Sequence, residues 1–165
     1  MDHNTEKRLP KYAVIEQDFA EKIDSGELPG GSELPSESDL MELYPYLYDP
    51  GFTVDAGAVP QAFLPHKERI PAILTDYLEG FDYEDGSDVW FAKVKEVAAR
   101  HNYCVKMGAY KKHPEDYNGS IADLSSFIRY ALTGTTNTPD LHGIIHVIGK
   151  EAAVGRINDF LSKLK

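Results

Sequence analysis

Cysteine and long apolar runs are almost absent from this chain of 165 residues. Its one cysteine, Cys104, excludes an intramolecular disulfide framework and is expected to be a small buried hydrophobe. No apolar run approaches the roughly 20 residues of a membrane helix, and the N-terminus lacks the apolar core of a signal peptide. We therefore expect a soluble cytoplasmic protein without a membrane partner, large enough for one domain or two small lobes.

Metal and phosphate signatures are also missing. His142 and His146 have the four-residue spacing with which two imidazoles on one helix can hold zinc. However, Gly143 stands where a zinc protease carries its general base, and no third ligand is near in sequence. The glycines near residue 30 are not followed by Lys-Ser/Thr, as a phosphate-binding loop requires. We predict no metal, no cofactor and no catalytic residue, with both histidines at the surface or partly buried.

Positive charge is scarce in the N-terminal half only. The net charge of −10 by itself argues against a nucleic-acid partner. Residues 89–165 nevertheless hold 11 basic and 7 acidic residues, a net +4, whereas residues 1–88 hold 6 and 20, a net −14. The C-terminal half can therefore face phosphates that the N-terminal half would repel. A solvated surface without any partner is the alternative.

The spacing of apolar residues near the C-terminus predicts three short helices. Ser120 is expected to cap the first and Gly134 to end it in the left-handed conformation. Thr138-Pro139 should start the second, with the threonine as cap, and Gly149 should close it. A third should begin near Lys150. With hairpin-length joints between them, these helices indicate an all-α bundle.

Upstream, helical spacing recurs in four further segments. Residues 10–25 place Tyr12, Ile15, Phe19 and Ile23 on one face, and Ser36 or Ser38 should cap the next helix. The other two cover residues 67–79 and about 89–101, the latter capped by Ser87 or Asp88 and burying Trp90, Phe91, Val94 and Val97. Residues 45–65 are expected to be a linker or an irregular packed segment, and residues 107–119 a loop with one turn.

A family resemblance covers about residues 38–160. The chain is similar to the C-terminal anticodon-binding domain of bacterial glutamyl-tRNA synthetase, an all-helical domain, in five runs: Asp88–Lys95, Tyr110–Tyr117, Phe127–Gly134, Asn137–Leu141 and Ile148–Ile157. The resemblance implies a domain or fragment of such a synthetase that binds the anticodon arm of tRNA(Glu). Neither a His-x-Gly-His nor a Lys-Met-Ser-Lys-Ser signature is present, so the chain alone is not expected to be an enzyme. A separate or missing catalytic synthetase domain is then a further expected partner.

The expected RNA contacts come from cations and aromatic rings. The predicted RNA-binding residues are Lys111, Lys112, Arg129, Lys150 and Arg156, with Lys93 and Lys95 behind them. Tyr110 or Tyr117 can stack on unpaired bases. In the alternative interpretation, the two arginines instead stabilise helix ends and pair with Asp123 or Glu151.

A second resemblance concerns residues 9–44 alone. The runs Ile23–Pro29 and Leu34–Glu37 look like the start of a GntR-family winged helix-turn-helix. That family next needs an arginine-bearing recognition helix, whereas residues 45–57 hold two prolines, two glycines and no arginine. A DNA-binding regulator is therefore the alternative function, and DNA the less expected partner. The expected segments are 1–44, 45–88 and 89–165: a truncated helix-turn-helix, a connecting helical part and the synthetase-like lobe.

Overall fold

Helices dominate the computed structural model, which describes residues 8–28 and 35–164. Its α-helices are α1 (Lys11–Asp24), α2 (Glu37–Leu43), α3 (Pro45–Tyr48), α4 (Ile70–Gly80), α5 (Ser87–Arg100), α6 (Met107–Lys112), α7 (Ile121–Thr133), α8 (Leu141–Ile148) and α9 (Lys150–Lys163). Three 3-10 turns cover Ala56–Ala58, Gln61–His66 and Pro114–Asp116. The predicted all-α class is confirmed. None of the described helices combines the length and apolar character that crossing a membrane demands.

Two very short strands interrupt the helices. Strands β1 (Tyr103–Cys104) and β2 (Gly119–Ser120) pair in parallel, with Tyr103 opposite Gly119 and Cys104 opposite Ser120. Four paired residues cannot form a layer of their own. Their role is local, because they hold together the two ends of the segment that carries α6.

The chain divides into two compact units. The described parts of the first are residues 8–28, 35–52 and 137–153, and those of the second are residues 53–136 and 154–164. The division into segments 1–44, 45–88 and 89–165 stays a prediction.

The first unit is built on the strongly apolar helix α8. Its residues Leu141, Ile144 and Ile145 are buried, and α1 packs closely against it. A Cβ at Gly143 would lie only 3.2 Å from Cγ2 of Val14, so glycine permits this close approach. A polar clamp adds to the packing, since buried Asp18 of α1 accepts a hydrogen bond from the Tyr44 hydroxyl at 2.5 Å.

The start of α8 differs from the prediction. Asp140, not Thr138, caps the helix, because its carboxylate accepts the backbone N–H of Gly143 at 2.9 Å. The Thr138 hydroxyl donates to the carbonyl oxygen of Pro139 instead. The carboxylate of Asp140 thus supplies the capping acceptor two residues later than predicted, and Pro139 lies just before the cap instead of in the first turn. Gly149 ends α8 at φ 90°, as predicted.

The second unit has a core formed by α4, α5, α7 and the C-terminal part of α9. The side chains with no more than 1% exposure in these helices include Ile70, Ile73, Leu74, Val94, Leu124, Ile128, Ile157 and Phe160. Trp90 of α5 donates its indole N–H to the Tyr77 hydroxyl of α4 at 2.9 Å. Helix α7 begins and ends as predicted: Ser120 and Asp123 form a reciprocal capping box, and Gly134 is left-handed at φ 72°.

Three details of this unit contradict the sequence interpretation. Helix α5 starts at Ser87 with Gly86 at the cap position, so neither Ser87 nor Asp88 caps it. Phe91 is 37% exposed rather than buried, because Trp90 already occupies the inward direction of that turn. Residues 107–112 form α6 where a loop was expected, since six residues are too few for a clear helical period.

Candidate nucleic-acid interface

Helix α6 gathers three lysines on the surface of the second unit. Lys106 occupies its N-terminal cap position, and Lys111 and Lys112 lie in its last turn. All three residues are exposed. The helix ends at Lys112, and the next residue, His113, leaves the helical conformation at φ −138° and ψ 62°, in keeping with the restriction that Pro114 imposes on it. Cations in a last helical turn also complement the helix dipole, so their position has a structural benefit as well.

Several other cations of the second unit are paired with carboxylates, whereas these three lysines are paired with none of the described ones. Lys93 pairs with Asp85, and Lys163 pairs with Asp159 at 2.8 Å. Arg100 makes a two-pronged contact with Asp76, and this guanidinium lowers the pKa of the Asp76 carboxyl. Within residues 8–28 and 35–164, Lys106, Lys111 and Lys112 form no ion pair. Their charge is therefore available to an external anion.

Two tyrosines lie beside the lysines of α6. The rings of Tyr110 and Tyr117 are partly exposed, with their centroids 6.4 Å apart and their planes inclined by 54°. The thiol of Cys104 beside the Tyr117 hydroxyl raises the pKa of that phenol. Tyr117 therefore stays neutral at physiological pH and adds no charge that would repel a phosphate. Partly exposed neutral aromatic rings are suitable surfaces for stacking unpaired bases.

Hydrogen bonds join the two ends of the segment that carries α6. Asn118 donates its backbone N–H to the Asn102 carbonyl at 2.8 Å and its side-chain amide to the His101 carbonyl at 2.9 Å. Asn102, left-handed at φ 58°, donates its amide to the Asp116 carbonyl at 3.2 Å. Together with the β1–β2 pairing, these bonds fix both ends of α6 on the helical core. The lysines and tyrosines consequently occupy a supported surface rather than a free loop.

A partly buried contact between two side chains stabilises the strand pair. The Tyr103 hydroxyl and His66 Nδ1 lie 2.7 Å apart. Burial raises the pKa of Tyr103 to about 12, and burial also lowers the pKa of His66. The phenol therefore donates and the neutral imidazole accepts. Gly119 leaves the room for this contact, because a Cβ there would lie 2.7 Å from Cε1 of Tyr103.

The two arginines predicted as RNA contacts belong to the same unit but are half-buried. Arg156 Nη1 donates to the Leu132 carbonyl oxygen at 3.0 Å, in the last turn of α7. This bond satisfies one of the carbonyls that a helix end leaves without an internal partner. Arg156 thus has the helix-end role of the alternative interpretation. A phosphate contact by Arg129 or Arg156 stays a prediction.

Lys150 is exposed at the first residue of α9 and belongs to the first unit. The second unit thus gathers Lys111 and Lys112 on one short helix and adds Lys106, which the sequence analysis did not select. Lys106 was missed because residues 107–119 were interpreted as a loop. In the sequence, Lys106 precedes the other two lysines by five and six residues, the spacing that places them at opposite ends of a helix of six residues.

Two further groups of titratable side chains are a histidine pair and a small cluster that contains two carboxylates. His142 and His146 are both partly buried, as predicted, with ring centroids 4.2 Å apart. His146 Nδ1 donates to the His142 carbonyl oxygen at 2.9 Å. His113, Glu115 and Asp116 bring ligand-type atoms within 4.8 Å of one another, but all three are exposed, as acidic surface groups commonly are. Their carboxylates lower the positive potential at the C-terminal end of α6.

Comparison with known proteins identifies a family whose model matches most of the chain. The anticodon binding domain model matches residues 36–161. Among curated relatives, the chain is similar to three proteins named glutamate–tRNA ligase. The protein of Acetivibrio thermocellus is 34% identical over 122 residues, 74% of this chain and 22% of that protein. The protein of Sorangium cellulosum is 35% identical over 122 residues, with coverage of 74% and 20%.

The third relative, from Clostridium perfringens, is 37% identical over 95 residues, 58% of this chain and 17% of that protein. The chain thus spans about a fifth of the length of these relatives. No solved structure matches the chain. Helix α1 precedes the residues that the family model matches.

Proposed function

The chain belongs to the anticodon-binding domain family, and from this premise we propose that it binds the anticodon arm of tRNA, with tRNA(Glu) as its partner. The match of that family model over residues 36–161 carries the proposal. The name shared by the relatives, glutamate–tRNA ligase, supports the choice of tRNA. The cytoplasm is the corresponding place of action.

We assign the principal contact surface to α6 and the turn that follows it. Lys106, Lys111 and Lys112 are the phosphate contacts, because binding there releases counterions without breaking an existing ion pair. Tyr110 and Tyr117 stack on bases of the single-stranded loop. Arg129, Lys150 and Arg156 are additional proposed contacts, and for Arg156 the proposal requires that it bind phosphate while it holds the end of α7.

Aminoacylation is proposed to depend on a catalytic domain outside this chain. The relatives are about five times as long as the part that the chain matches, and neither nucleotide-binding signature of these synthetases occurs here. In this proposal, the chain supplies tRNA contacts and the catalytic domain supplies ATP binding and chemistry. That domain, in the same or a separate polypeptide, is the second proposed partner.

The helix-turn-helix alternative receives no support from the comparisons. Between residues 45 and 66, the described chain forms α3 and two 3-10 turns, whereas a recognition helix would need several continuous turns. Part of the GntR-like segment, residues 29–34, lies outside the described residues. The described parts of residues 8–52 also carry nine acidic and three basic residues, which oppose binding to a DNA duplex.

Fluorescence anisotropy with labelled tRNA(Glu) and a random DNA duplex of equal charge tests the proposal. We expect tighter binding of the tRNA at both 50 mM and 200 mM salt, with affinity falling as salt rises, since phosphate neutralisation releases counterions. A tRNA(Glu) with a substituted anticodon serves as the matched RNA control and should bind more weakly. Equal binding of tRNA and duplex would overturn the proposal.

A further inference from the structure

Helix α1 carries apolar residues on two sides, and the described fold covers one of them. Val14 and Ile15 are buried, with Val14 against Gly143 of α8. The stripe Tyr12, Ile15, Phe19 and Ile23 runs along the helix at a spacing of three and four residues. At its two ends Tyr12 is 69% exposed and Ile23 is 49% exposed. The stripe therefore has the spacing of a buried helix face, but its two ends are not part of the core.

This stripe forms one wall of a groove with a volume of 410 Å³. Pro35, which precedes α2, and Leu40, which lies within it, also line the groove. We call this feature the α1–α2 groove. Glu16 is its one charged lining residue among the described residues, and the rest of the lining is apolar or aromatic. A groove of this volume and composition resembles the surfaces that accept one face of an amphipathic helix.

The two helices that form the groove carry more carboxylates than lysines. The exposed carboxylates on its two helices are those of Glu16, Glu21, Asp24, Glu37, Asp39 and Glu42. Within the described residues, none of the six forms an ion pair. The two lysines of α1 are already engaged, since Lys22 pairs with Asp18 at 3.1 Å and Lys11 lies over the Tyr48 ring. The groove thus has an apolar floor with Glu16 in its lining, and its two helices carry an excess of negative charge, although Lys22 Nζ lies 5.8 Å from the centroid of the Phe19 ring.

We propose that the α1–α2 groove binds a basic amphipathic helix of a partner protein. Apolar side chains at positions i, i+3 or i+4, and i+7 of that helix fill the space along Tyr12, Ile15, Phe19 and Ile23. Its lysines and arginines meet the surrounding carboxylates, which steer the encounter and exclude acidic helices. Nucleic acid is excluded by the same charge. The proposal is independent of tRNA binding, because α1 lies outside the residues matched by the family model.

The probe is a fluorescent 18-residue peptide with leucines at helical spacing and lysines and arginines elsewhere, titrated onto the full chain at 150 mM salt. Its matched control has the same leucines with glutamates in place of the basic residues. We expect the basic peptide to bind and shift amide resonances of α1 and α2, and the acidic peptide not to bind. Ile23→Lys should lower the affinity for the basic peptide by about tenfold or more. Leu64→Lys, which alters a residue of the second unit that is 54% exposed, should leave this affinity unchanged.

Four results would overturn the proposal. Equal binding of the two peptides would show that the carboxylates play no part, and resonance shifts away from α1 and α2 would place the contact elsewhere. A concentration-dependent dimer that Ile23→Lys dissociates would assign the groove to a second copy of the chain. If neither peptide binds the unaltered chain and Ile23→Lys lowers its thermal stability, the chain itself fills the groove.

Discussion

At the scale of single residues, ion pairing distinguishes the lysines of α6 from other cations of the second unit. Lys93, Arg100 and Lys163 already have carboxylate partners in the second unit. Drawing such a cation to a phosphate breaks one interaction to make another, so the net gain is small. Lys111 and Lys112 have no ion-pair partner among the described residues, so RNA can use their charge without that loss.

Replacing both Lys111 and Lys112 by alanine should weaken tRNA binding and its dependence on salt together. We expect the magnitude of the slope of log affinity against log salt to fall by about 1 for each lysine. The reason is that a phosphate no longer contacted by a lysine keeps its counterion when the protein binds. Anisotropy titrations at three salt concentrations measure this slope. Lys163→Ala, which removes a cation paired with Asp159, is the matched control and should keep the slope. An unchanged slope in the double variant would remove α6 from the interface.

His66 should make the stability of the protein depend on pH. Burial lowers the pKa of His66 in the folded state below the value of about 6.5 expected in the unfolded chain. The unfolded state therefore binds the proton more readily, so the free energy of unfolding is largest above pH 6.5 and decreases as pH falls through 6.5. Protonation also removes the acceptor of the Tyr103 hydroxyl.

Denaturant titrations between pH 7.5 and 5.5 measure this effect. His66→Gln should be less stable at pH 7.5 and should show a smaller loss of stability on acidification than the unaltered chain. His113→Gln is the matched control, since His113 is exposed and at the surface. A His66→Gln variant with the full pH dependence would assign the titration to another group.

At the scale of secondary structure, α7 organises the second unit, and its N-terminal cap joins it to the strand pair. Ser120 is at once the last residue of β2 and the cap of α7. Asp123 accepts both the backbone N–H and the hydroxyl of Ser120 at 2.8 and 3.1 Å. The same short stretch thus starts the central helix and closes the α6 segment.

Ser120→Ala should lower the free energy of unfolding by about 1 kcal/mol, since the backbone N–H of Asp123 loses its acceptor. Chemical denaturation measures the change. Ser126→Ala is the matched control within α7: its hydroxyl only bonds back to the Ala122 carbonyl, so its loss should be near neutral. Equal effects of the two substitutions would contradict a capping role.

Gly119→Ala should disturb the α6 surface more than the core. An added Cβ would lie 2.7 Å from Tyr103 Cε1 and 2.9 Å from Asp123 Oδ2, so the strand pair must shift. We expect a loss of roughly 1 to 3 kcal/mol in stability and weaker tRNA binding at temperatures where the variant remains folded. Gly108→Ala, in α6 with open space around its Cβ position, is the control for stability.

At the scale of the whole molecule, the acidic and basic residues are divided along the chain. The net charge of −10 opposes long-range attraction of RNA, so the proposed tRNA binding has to rely on local contacts such as those proposed for α6. The acidic α1–α2 groove and the cationic α6 surface are accordingly suited to different partners.

Hydrogen–deuterium exchange with and without tRNA should locate the contact. We expect added protection of amides in residues 103–120 and none in α1 or α2, because carboxylates around the α1–α2 groove repel phosphate. The basic peptide described above should give the reverse pattern. Protection of α1 and α2 by nucleic acid would instead favour a helix-turn-helix function.

The sequence by itself determined the helical class, the cap and C-terminal glycine of α7, the end of α8 and the family resemblance. These features depend on local rules: Ser120, Asp123, Gly134 and Gly149 act on backbone groups a few residues away. Periodicity also located α4 and α5 to within a few residues.

Only the tertiary structure decided which apolar and charged residues face a neighbour. The spacing of Tyr12 and Ile23 is that of a buried helix face, yet both are exposed, because α8 packs on another side of α1. Likewise, Lys93 and Lys111 look alike in sequence, and only the fold brings Asp85 to the former. Local patterns fix backbone conformation, whereas burial and ion pairing depend on contacts between residues far apart in the chain.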